Sequence, residues 1–327
     1  MRLSVPSREG RLSKWGQSRR EIPMTLPLVD LSASANAGNA IDAGLSTYGF
    51  LQLANIGITS AELDEVFRAS EAFFKGPAVI KQQCAYRSAA ENFGYQGLLE
   101  ENLDPGAPAD LKETFTMRNI VANPPPRERW PSDAFREIMC RFYAHALACA
   151  HDVQRRMAVT LGLPEDHFTR LHSGQNVTLR LLHYPANAAL ESLVEPDPAQ
   201  LGAGAHTDYG FMTLLFQHGV GGLQVLDRNN AWIDVPPRDD VVVVNSGDML
   251  ERWTNGKYKS TMHRVRAKTG DRDRLSIAIF IDPDTDALIE ALPSCVSSEK
   301  PARFAPISAG AHLQARLEAS HKGRFTQ

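Results

Sequence analysis

The segment Gly204-Ala205-His206-Thr207-Asp208-Tyr209-Gly210 carries two candidate metal ligands within a region of short, strand-like segments. Side chains on an extended segment alternate between two faces, so His206 and Asp208 point to the same side. An imidazole beside a carboxylate provides two of the three ligands of a 2-His-1-carboxylate ferrous site. A His-x-Asp triplet alone is weak evidence, because a chain with ten histidines can contain one by chance. The hypothesis therefore depends on a third ligand.

The chain around this segment has the pattern of an antiparallel β-protein. Strands without helices between them are predicted at residues 177–184, 211–216, 222–226, 231–235, 241–245, 258–267 and 274–281. The Asn255-Gly256 dipeptide is typical of a hairpin turn. This spacing favours a sandwich or barrel such as a jelly roll, so the predicted fold class is mostly β with flanking helices.

Helical patterns dominate the chain before residue 166. Thr59-Ser60-Ala61-Glu62 has the spacing of a capping box, and Ser132 precedes a long apolar stripe that ends at Gly162. Four regions follow: an N-terminal extension (1–23), a helical and mixed region (24–165), the β-rich catalytic core (166–285) and a C-terminal tail with a helix (286–327). We interpret the basic extension as disordered, or as non-native sequence ahead of a start at Met24, with an organelle transit peptide as the alternative.

Composition argues against several classes of protein. With 327 residues, 43% of them hydrophobic, the chain can bury a core that needs no disulfide or structural metal. A net charge of −3 gives no reason to expect nucleic acid or an anionic membrane as a partner, and no apolar run reaches the roughly 18 residues of a membrane span. Four cysteines without a CxxC pair indicate reduced thiols in a cytoplasmic protein. The sequence leaves the oligomeric state open between a monomer and a homodimer.

His263 supplies the third candidate ligand. It follows His206 by 57 residues (263 − 206), which is far enough for the chain to return on a neighbouring strand. Two histidines and one aspartate suit Fe(II) and leave one face of an octahedron free. A zinc hydrolase can use the same three groups, so the ligand set alone does not identify the metal.

A candidate anion site lies 11 residues after His263 (274 − 263). The period of two places Arg274 and Ser276 on one face of a strand, where a guanidinium beside a hydroxyl suits a carboxylate. A 2-oxoacid can chelate iron through its keto group and nearer carboxylate while its far carboxylate reaches this pair. Tyr184, on another predicted strand, can add a phenolic hydroxyl, although a strand aromatic is more often a core residue.

These motifs occur in an order that resembles a known family. From about Leu26 to Ile281, the chain is similar to the isopenicillin-N-synthase-like branch of the Fe(II)/2-oxoglutarate-dependent oxygenases. The matching motifs are His206-Thr-Asp208, Gly222-Leu-Gln-Val225, Trp253 to Thr261 running into His263-Arg-Val265, Arg274-Leu-Ser276, Leu179-Arg-Leu-Leu-His-Tyr-Pro185 and Asp110-Leu-Lys-Glu-Thr-Phe115.

The resemblance implies a double-stranded β-helix (jelly-roll, cupin-like) core with N-terminal helical elements. It also implies a set of site residues: Fe(II) binding by His206, Asp208 and His263, and binding of the cosubstrate 2-oxoglutarate by Arg274, Ser276 and Tyr184. Many plant members have Asn two residues before the tyrosine, where this chain has Leu182.

The activity implied by the resemblance is oxidation of a small organic substrate, coupled to conversion of 2-oxoglutarate and O2 into succinate and CO2. Hydroxylation is the commonest outcome, and desaturation or ring closure uses the same residues. Ethylene- and succinate-forming oxygenases share the pattern of residues 204–210, and cosubstrate-independent oxidases use an Arg-x-Ser pair for a different carboxylate. A metal-free jelly-roll binding protein is the non-enzymatic alternative. Such a protein is expected to have lost a ligand, and all three are present.

Loops within residues 84–130 and 186–203 are expected to shape the substrate pocket. The candidate lining side chains are Phe211, Phe280, Arg180 and Phe115. For Phe211 and Phe280, plain core packing is an equal alternative. Arg180 is alternatively a solvated or paired strand residue.

Overall fold

A computed structural model describes residues 25–33, 36–104, 106–191, 199–266 and 271–322. The predicted N-terminal extension (1–23) lies outside these residues, and so do residues 192–198 of a predicted pocket loop.

Helices are concentrated in the first half of the chain and strands in the second. The helices are α1 (Ala37–Tyr48), α2 (Ser60–Phe74), α3 (Ala78–Gln83), α4 (Asp133–Thr160), α5 (Asn187–Glu191), α6 (Asp248–Trp253) and α7 (Ala309–Lys322). The strands are β1 (Leu28–Asp30), β2 (Phe50–Ala54), β3 (Phe93–Gln96), β4 (Glu113–Arg118), β5 (Val177–Tyr184), β6 (Leu201–His206), β7 (Met212–His218), β8 (Leu223–Leu226), β9 (Trp232–Asp234), β10 (Val241–Ser246), β11 (His263–Arg266), β12 (Arg274–Ile281), β13 (Leu288–Ile289) and β14 (Ile307–Ser308).

Two sheets enclose a cavity, as in a jelly roll. The larger sheet has the strand order β1-β2-β10-β7-β12-β5-β4-β3, and the smaller has the order β6-β11-β8-β9. Paired strands in the two sheets are antiparallel except β1 and β2, which are parallel. The mostly β, jelly-roll fold class predicted from the sequence is confirmed.

Strand β12 shows how the sequence separates the hydrophobic core from the cavity. Leu275, Ile277, Ile279 and Ile281 pack in the main core, on the face that α2 and α4 contact. The alternate residues line the cavity: Arg274, Ser276, Ala278 and Phe280. Burying each isoleucine stabilises the fold by roughly 1.5–3 kcal/mol. The period of two therefore gives this strand one dry face and one face that is free for function.

The two long helices begin where the sequence predicts. Thr59 Oγ1 accepts a hydrogen bond from the Glu62 amide at 3.2 Å, and Ser132 Oγ accepts one from the Phe135 amide at 3.1 Å. Such a cap satisfies a free amide of the first helical turn and contributes about 1 kcal/mol. Both caps thus fix the start of a helix that covers the outer face of the larger sheet.

One predicted strand is shorter than expected. Of the predicted segment 258–267, the described part is strand only at His263–Arg266. Asn255 and Gly256 end α6 and do not join two strands: their φ angles are 50° and 75°, and the Gly256 amide donates to the Glu251 carbonyl at 2.8 Å. Positive φ angles suit a helix C-terminus as well as a hairpin turn, so the dipeptide does not distinguish them.

Two findings bear on the composition argument. Among the described residues, no helix combines the length and apolarity needed to cross a membrane. Cys84, Cys140, Cys149 and Cys295 are free thiols, and burial raises the pKa of Cys149 to about 12, so this thiol is kept protonated.

Candidate active site

His206, Asp208 and His263 lie together on the cavity wall. Strand β6 ends at His206 and β11 begins at His263, and these two residues are direct partners in the antiparallel pairing. Asp208 Oδ1 lies 3.8 Å from His206 Nε2 and 3.7 Å from His263 Nε2. One ligand atom from each residue lies within 4.8 Å of the others, so the three groups could hold one metal ion. The register of one strand pair thus brings the distant histidine to the other two residues.

Backbone carbonyls determine which nitrogen each histidine offers. Nδ1 of His206 lies 2.7 Å from the Gly204 carbonyl oxygen, and Nδ1 of His263 lies 3.1 Å from that of Thr261. A carbonyl only accepts hydrogen bonds, so each Nδ1 carries a proton and each Nε2 is directed at Asp208. Burial, reinforced by the charge of His263, lowers the pKa of His206 to about 3. The His206 imidazole is therefore neutral, as metal binding requires.

Two neutral side chains hold the Asp208 carboxylate. Its Oδ2 accepts hydrogen bonds from the Thr213 hydroxyl at 2.5 Å and from the Asn245 amide at 2.7 Å. Burial acts to raise the pKa of Asp208, but the two histidines and these hydrogen bonds together hold it below its usual range. The carboxylate is therefore charged, and Oδ1 is left facing the histidines.

A carboxyl group just after β12 fixes the loop that follows Asp208. Asp282 Oδ1 accepts a hydrogen bond from the Phe211 amide at 3.0 Å. The same oxygen lies 1.6 Å from the place where a Cβ on Gly210 would stand, so a larger residue at 210 would displace it. Burial raises the pKa of Asp282 to about 7, although the Phe211 amide and the charge of Arg118 act in the opposite direction.

A buried guanidinium forms the second part of the site. The Arg274 side chain donates to Ser276 Oγ at 3.0 Å and to Gln217 Oε1 at 3.2 Å, and lies 4.6 Å from the centroid of the Tyr184 ring. These partners are neutral, Nε has no hydrogen-bond partner among the described residues, and the residue is 0% exposed. A buried cation without a counter-charge is costly, so this arrangement suits an anionic ligand.

One cavity of about 840 Å³ joins the two parts of the site. Of the predicted pocket residues, Arg180 and Phe280 line it. The Arg180 guanidinium hydrogen-bonds the hydroxyls of Thr114 and Thr116 at 3.1 Å each and pairs with Glu101, so it is both a lining residue and a paired one. Phe280 is half-buried on the cavity face of β12.

The prediction that Phe115 and Phe211 line the pocket is wrong. Both are 0% exposed and belong to the hydrophobic core. The Phe115 ring lies 4.9 Å from that of Phe73 in α2, and the Phe211 ring lies 5.1 Å from that of Phe168. Alternation along β4 turns Phe115 toward the helices while its neighbour Thr116 faces the cavity. For Phe211, the alternative of plain core packing is the one that the structure shows.

Three polar residues that support the site are not predicted from the sequence. Gln217 beside Arg274, and Thr213 and Asn245 beside Asp208, are all buried. A signal for them exists, because each is a polar residue within the mostly apolar strands β7 and β10. Buried polar groups need hydrogen-bond partners, so such residues point to a polar neighbour across the sheet.

Helix α7 forms part of the cavity wall near Tyr209, and Leu313 of this helix is a lining residue. His312 Nε2 lies 3.1 Å from the Tyr209 carbonyl oxygen. Arg316 pairs with Asp248 at 2.8 Å and lies 4.7 Å from the centroid of the Tyr209 ring. The helix is therefore fastened to the residue that follows the candidate ligand Asp208.

Two family models match the chain. Residues 175–283 match the 2OG-Fe(II) oxygenase superfamily, and residues 26–135 match the N-terminal model described as non-haem dioxygenase in morphine synthesis. The 2-oxoglutarate-Fe(II) type oxidoreductase hxnY of Emericella nidulans is 32% identical over 310 residues, which cover 88% of this chain and 87% of that protein. The UPF0676 protein C1494.01 of Schizosaccharomyces pombe is 34% identical over 82% of this chain and 85% of its own length.

Solved structures show the same likeness. A full-length Neurospora crassa protein, crystallised in complex with alpha-KG, superposes with a TM-score of 0.80 at 34% identity, covering 90% of this chain and 96% of that one. The same protein in complex with alpha-KG and thymine gives a TM-score of 0.79 at 35% identity, covering 90% of this chain and 97% of that one.

Proposed function

The chain belongs to the 2OG-Fe(II) oxygenase superfamily, and from that premise we propose a role for each residue of its site. It is an Fe(II)- and 2-oxoglutarate-dependent dioxygenase that oxidises a small organic substrate with release of succinate and CO2. In the proposed assignment, iron is held by His206, Asp208 and His263, and the far carboxylate of 2-oxoglutarate by Arg274, Ser276 and Tyr184.

The donor set of the three ligands supports the iron assignment. Two imidazole nitrogens and one carboxylate oxygen are typical of ferrous oxygenases, and they leave positions for a chelating cosubstrate and O2. The Nε2 atoms of His206 and His263 converge on Asp208 Oδ1, and the protonated Nδ1 of each ring is already used by a carbonyl. The ligands are therefore oriented by hydrogen bonds within the protein.

The observation that carries the 2-oxoglutarate assignment is the complete burial of Arg274 among neutral partners. A guanidinium binds a carboxylate through two parallel hydrogen bonds, and the Ser276 hydroxyl adds a third donor. Gly222 lies beside this group, and a Cβ there would be in ordinary van der Waals contact with Arg274 Cδ, at 3.6 Å. A dicarboxylate placed here would neutralise the buried charge.

When bound, Fe(II) supplies the oxidative chemistry, in which one oxygen atom of O2 goes into succinate and the other into the substrate. The protein's own residues supply orientation and dryness. Thr213 and Asn245 hold the Asp208 carboxylate, and the apolar side chains of Leu215, Leu223 and Val265 line the cavity and limit water.

The proposed reaction is hydroxylation of a separate small molecule. Pockets of roughly 300–1,000 Å³ take drug-sized ligands, and this cavity of about 840 Å³ has space beyond Arg274 for a second molecule. The similar Neurospora crassa protein has been solved with thymine, which makes a molecule of that size a reasonable first probe. The space lined by Arg180 and Phe280 is the proposed substrate pocket.

Anaerobic titration tests the iron and 2-oxoglutarate sites. Adding Fe(II) and then 2-oxoglutarate to the purified chain is expected to produce the visible charge-transfer band of the chelate. The exposed Arg127, which pairs with Asp133 on the surface, provides a control variant, and Arg127→Gln should form the same band. A protein that binds Fe(II) but forms no band with 2-oxoglutarate would contradict the proposal.

Product analysis separates the related reactions. Succinate and oxidised substrate formed in equal amounts would support the proposed hydroxylation. Ethylene in the headspace without any added substrate would instead identify an enzyme that breaks down 2-oxoglutarate itself. Substrate oxidation without 2-oxoglutarate would identify a cosubstrate-independent oxidase.

A further inference from the structure

The cavity contains a second guanidinium with a neutral partner. Arg118, the last residue of β4, lines the cavity and donates a hydrogen bond to the amide oxygen of Asn176. Arg180 on the next strand differs, because it is paired with the Glu101 carboxylate. Within the described part of the chain, Arg118 has no carboxylate at ion-pair distance, so its charge remains available to a ligand.

Asn176 holds Arg118 in place without neutralising it. The Asn176 side chain is buried, and its Nδ2 donates to the Pro283 carbonyl oxygen at 2.8 Å. That bond turns the amide oxygen toward Arg118. The guanidinium is thus fixed by one hydrogen bond and keeps further donors for the cavity.

The sheet register places Arg118 in the same cross-strand row as a residue that contacts the candidate ligand Asp208. Arg118 pairs with Thr178, Thr178 pairs with Phe280, and Phe280 pairs with Thr213, whose hydroxyl donates to Asp208. These four residues form a row across neighbouring strands, and three steps of ~4.8 Å separate its ends by ~14 Å. A ligand lying along this row would pass over Phe280 between the iron site and Arg118.

The other charged groups in this part of the cavity have partners within the protein, including Glu100, whose carboxylate accepts a hydrogen bond from the Gly97 amide at 2.8 Å. Lys112 is paired with Asp110 and with Glu101, which also pairs with Arg180. Burial raises the pKa of Asp282, which also lines the cavity, to about 7, so this carboxyl holds its proton through most of the acidic range. Arg118 acts on Asp282 through its charge, but no described carboxylate lies at ion-pair distance from its guanidinium, so a carboxylate of a ligand can pair with it directly.

We propose that Arg118 binds a carboxylate of the primary substrate, and that the substrate is a small monocarboxylic acid with an apolar body lying over Phe280. The acid group is held at Arg118 while the carbon to be oxidised reaches the iron site, which limits the molecule to less than the ~14 Å of the row. This inference rests on the proposed function and adds the class of substrate. A neutral ring such as thymine would leave the guanidinium without a directly paired carboxylate.

Binding to the loaded protein tests the inference with matched acids and amides. The probes are hexanoate, octanoate and 3-phenylpropanoate, each beside its primary amide, with thymine as the neutral reference. They are added anaerobically to the protein with Fe(II) and 2-oxoglutarate, and binding is read from the change in the visible band. At least one acid should half-saturate the protein at a concentration roughly tenfold or more below that of its amide.

Variants of Arg118 locate the effect. Arg118→Gln should raise the half-saturating concentration of that acid by roughly 10- to 100-fold, since a hydrogen bond to a charged group is lost, and should leave the amide unaffected. Arg118→Lys keeps the charge and should restore part of the affinity. The band formed with 2-oxoglutarate alone should be unchanged in both variants, which shows that they are folded, and Arg127→Gln should bind the acid like the natural chain.

Three outcomes would overturn the inference while the 2-oxoglutarate band forms normally: acids that bind no better than their amides, thymine binding better than every acid, or an Arg118→Gln variant that behaves like Arg127→Gln. Failure of the band itself would overturn the proposed function, and this inference with it.

Discussion

The two ends of the cavity are built in different ways. At the Arg274 end, the contacting residues lie on neighbouring strands of one sheet: Tyr184 is the direct strand partner of Arg274, and Gln217 lies on the strand at its other side. At the other end, the lining comes from β4, from the segment after β12 and from α7. The cosubstrate end is therefore fixed by strand register, whereas the substrate end is assembled from separate segments. We therefore expect a substitution at the substrate end to leave the geometry of the cosubstrate end unchanged.

Removing the metal centre that both ends share should have the largest effect. His263→Ala should lower Fe(II) affinity by more than the roughly 10- to 100-fold typical of losing a supporting residue, because a direct ligand is lost. Fe(II) binding measured anaerobically, together with succinate release, checks this. His145, half-exposed and paired with Glu62 on the surface, provides the control. Equal Fe(II) affinity in His263→Ala and His145→Ala would exclude His263 as a ligand.

Two phenylalanines distinguish the core from the substrate end. Phe115→Ala should lower the free energy of unfolding by roughly 3–5 kcal/mol without changing substrate preference, because Phe115 packs under α2. Phe280→Ala should cost less stability, since Phe280 is half-buried, and should change the ratio of KM values between substrates. Urea unfolding and KM measurements on both variants test this pair. A Phe115→Ala variant with altered substrate preference would return that residue to the pocket.

At the cosubstrate end, Arg274→Met should weaken 2-oxoglutarate binding by roughly 10- to 150-fold, the equivalent of about 1.5–3 kcal/mol for a hydrogen bond to a charged group. Fe(II) affinity should stay within about twofold, because Arg274 does not contact the three ligands. The visible band gives both quantities. Fe(II) is titrated at saturating 2-oxoglutarate, and 2-oxoglutarate is titrated at saturating Fe(II). A simultaneous loss of Fe(II) binding would show that the two sites are not independent.

A gradual, pH-dependent effect, small over any one pH unit, is expected at the substrate end. Burial raises the pKa of Asp282 from 3.8 to about 7, so the folded protein keeps a proton that the unfolded chain releases above about pH 4. The stability linked to this proton is fully present below pH 4 and is lost as the pH rises through 7. Without metal, the natural chain should therefore lose stability relative to Asp282→Asn over this range, by at most about 1.4 kcal/mol per pH unit. A stability difference that is independent of pH would contradict the raised pKa.

The sequence predicts the cosubstrate end better than the substrate end, and the reason is physical. Alternation in β12 separates Arg274 and Ser276 from Leu275 using only neighbouring residues. Arg118 and Asn176 are 58 residues apart, and their meeting depends on how two strands and a loop pack. No local period encodes such a contact.

The error at Phe115 has a related cause. Both faces of β4 are largely buried, one by helices and the other by the cavity wall, so hydrophobicity alone does not tell which face is which. The candidate ligand His263 lies between these cases: its separation from His206 allows a return on a neighbouring strand, but the register that pairs the two residues is not encoded locally.

Helix α7 has a consequence for engineering. The helix lies outside the two large sheets, but its residue Leu313 forms part of the cavity wall. Arg316 and His312 attach the helix at Tyr209. Residues 309–322 are therefore a segment that can be replaced as a unit to alter the cavity wall. Replacing it with the equivalent helix of a relative, with Arg316 and His312 retained, is expected to change which substrates the enzyme accepts. The strands of the two large sheets would keep their sequence.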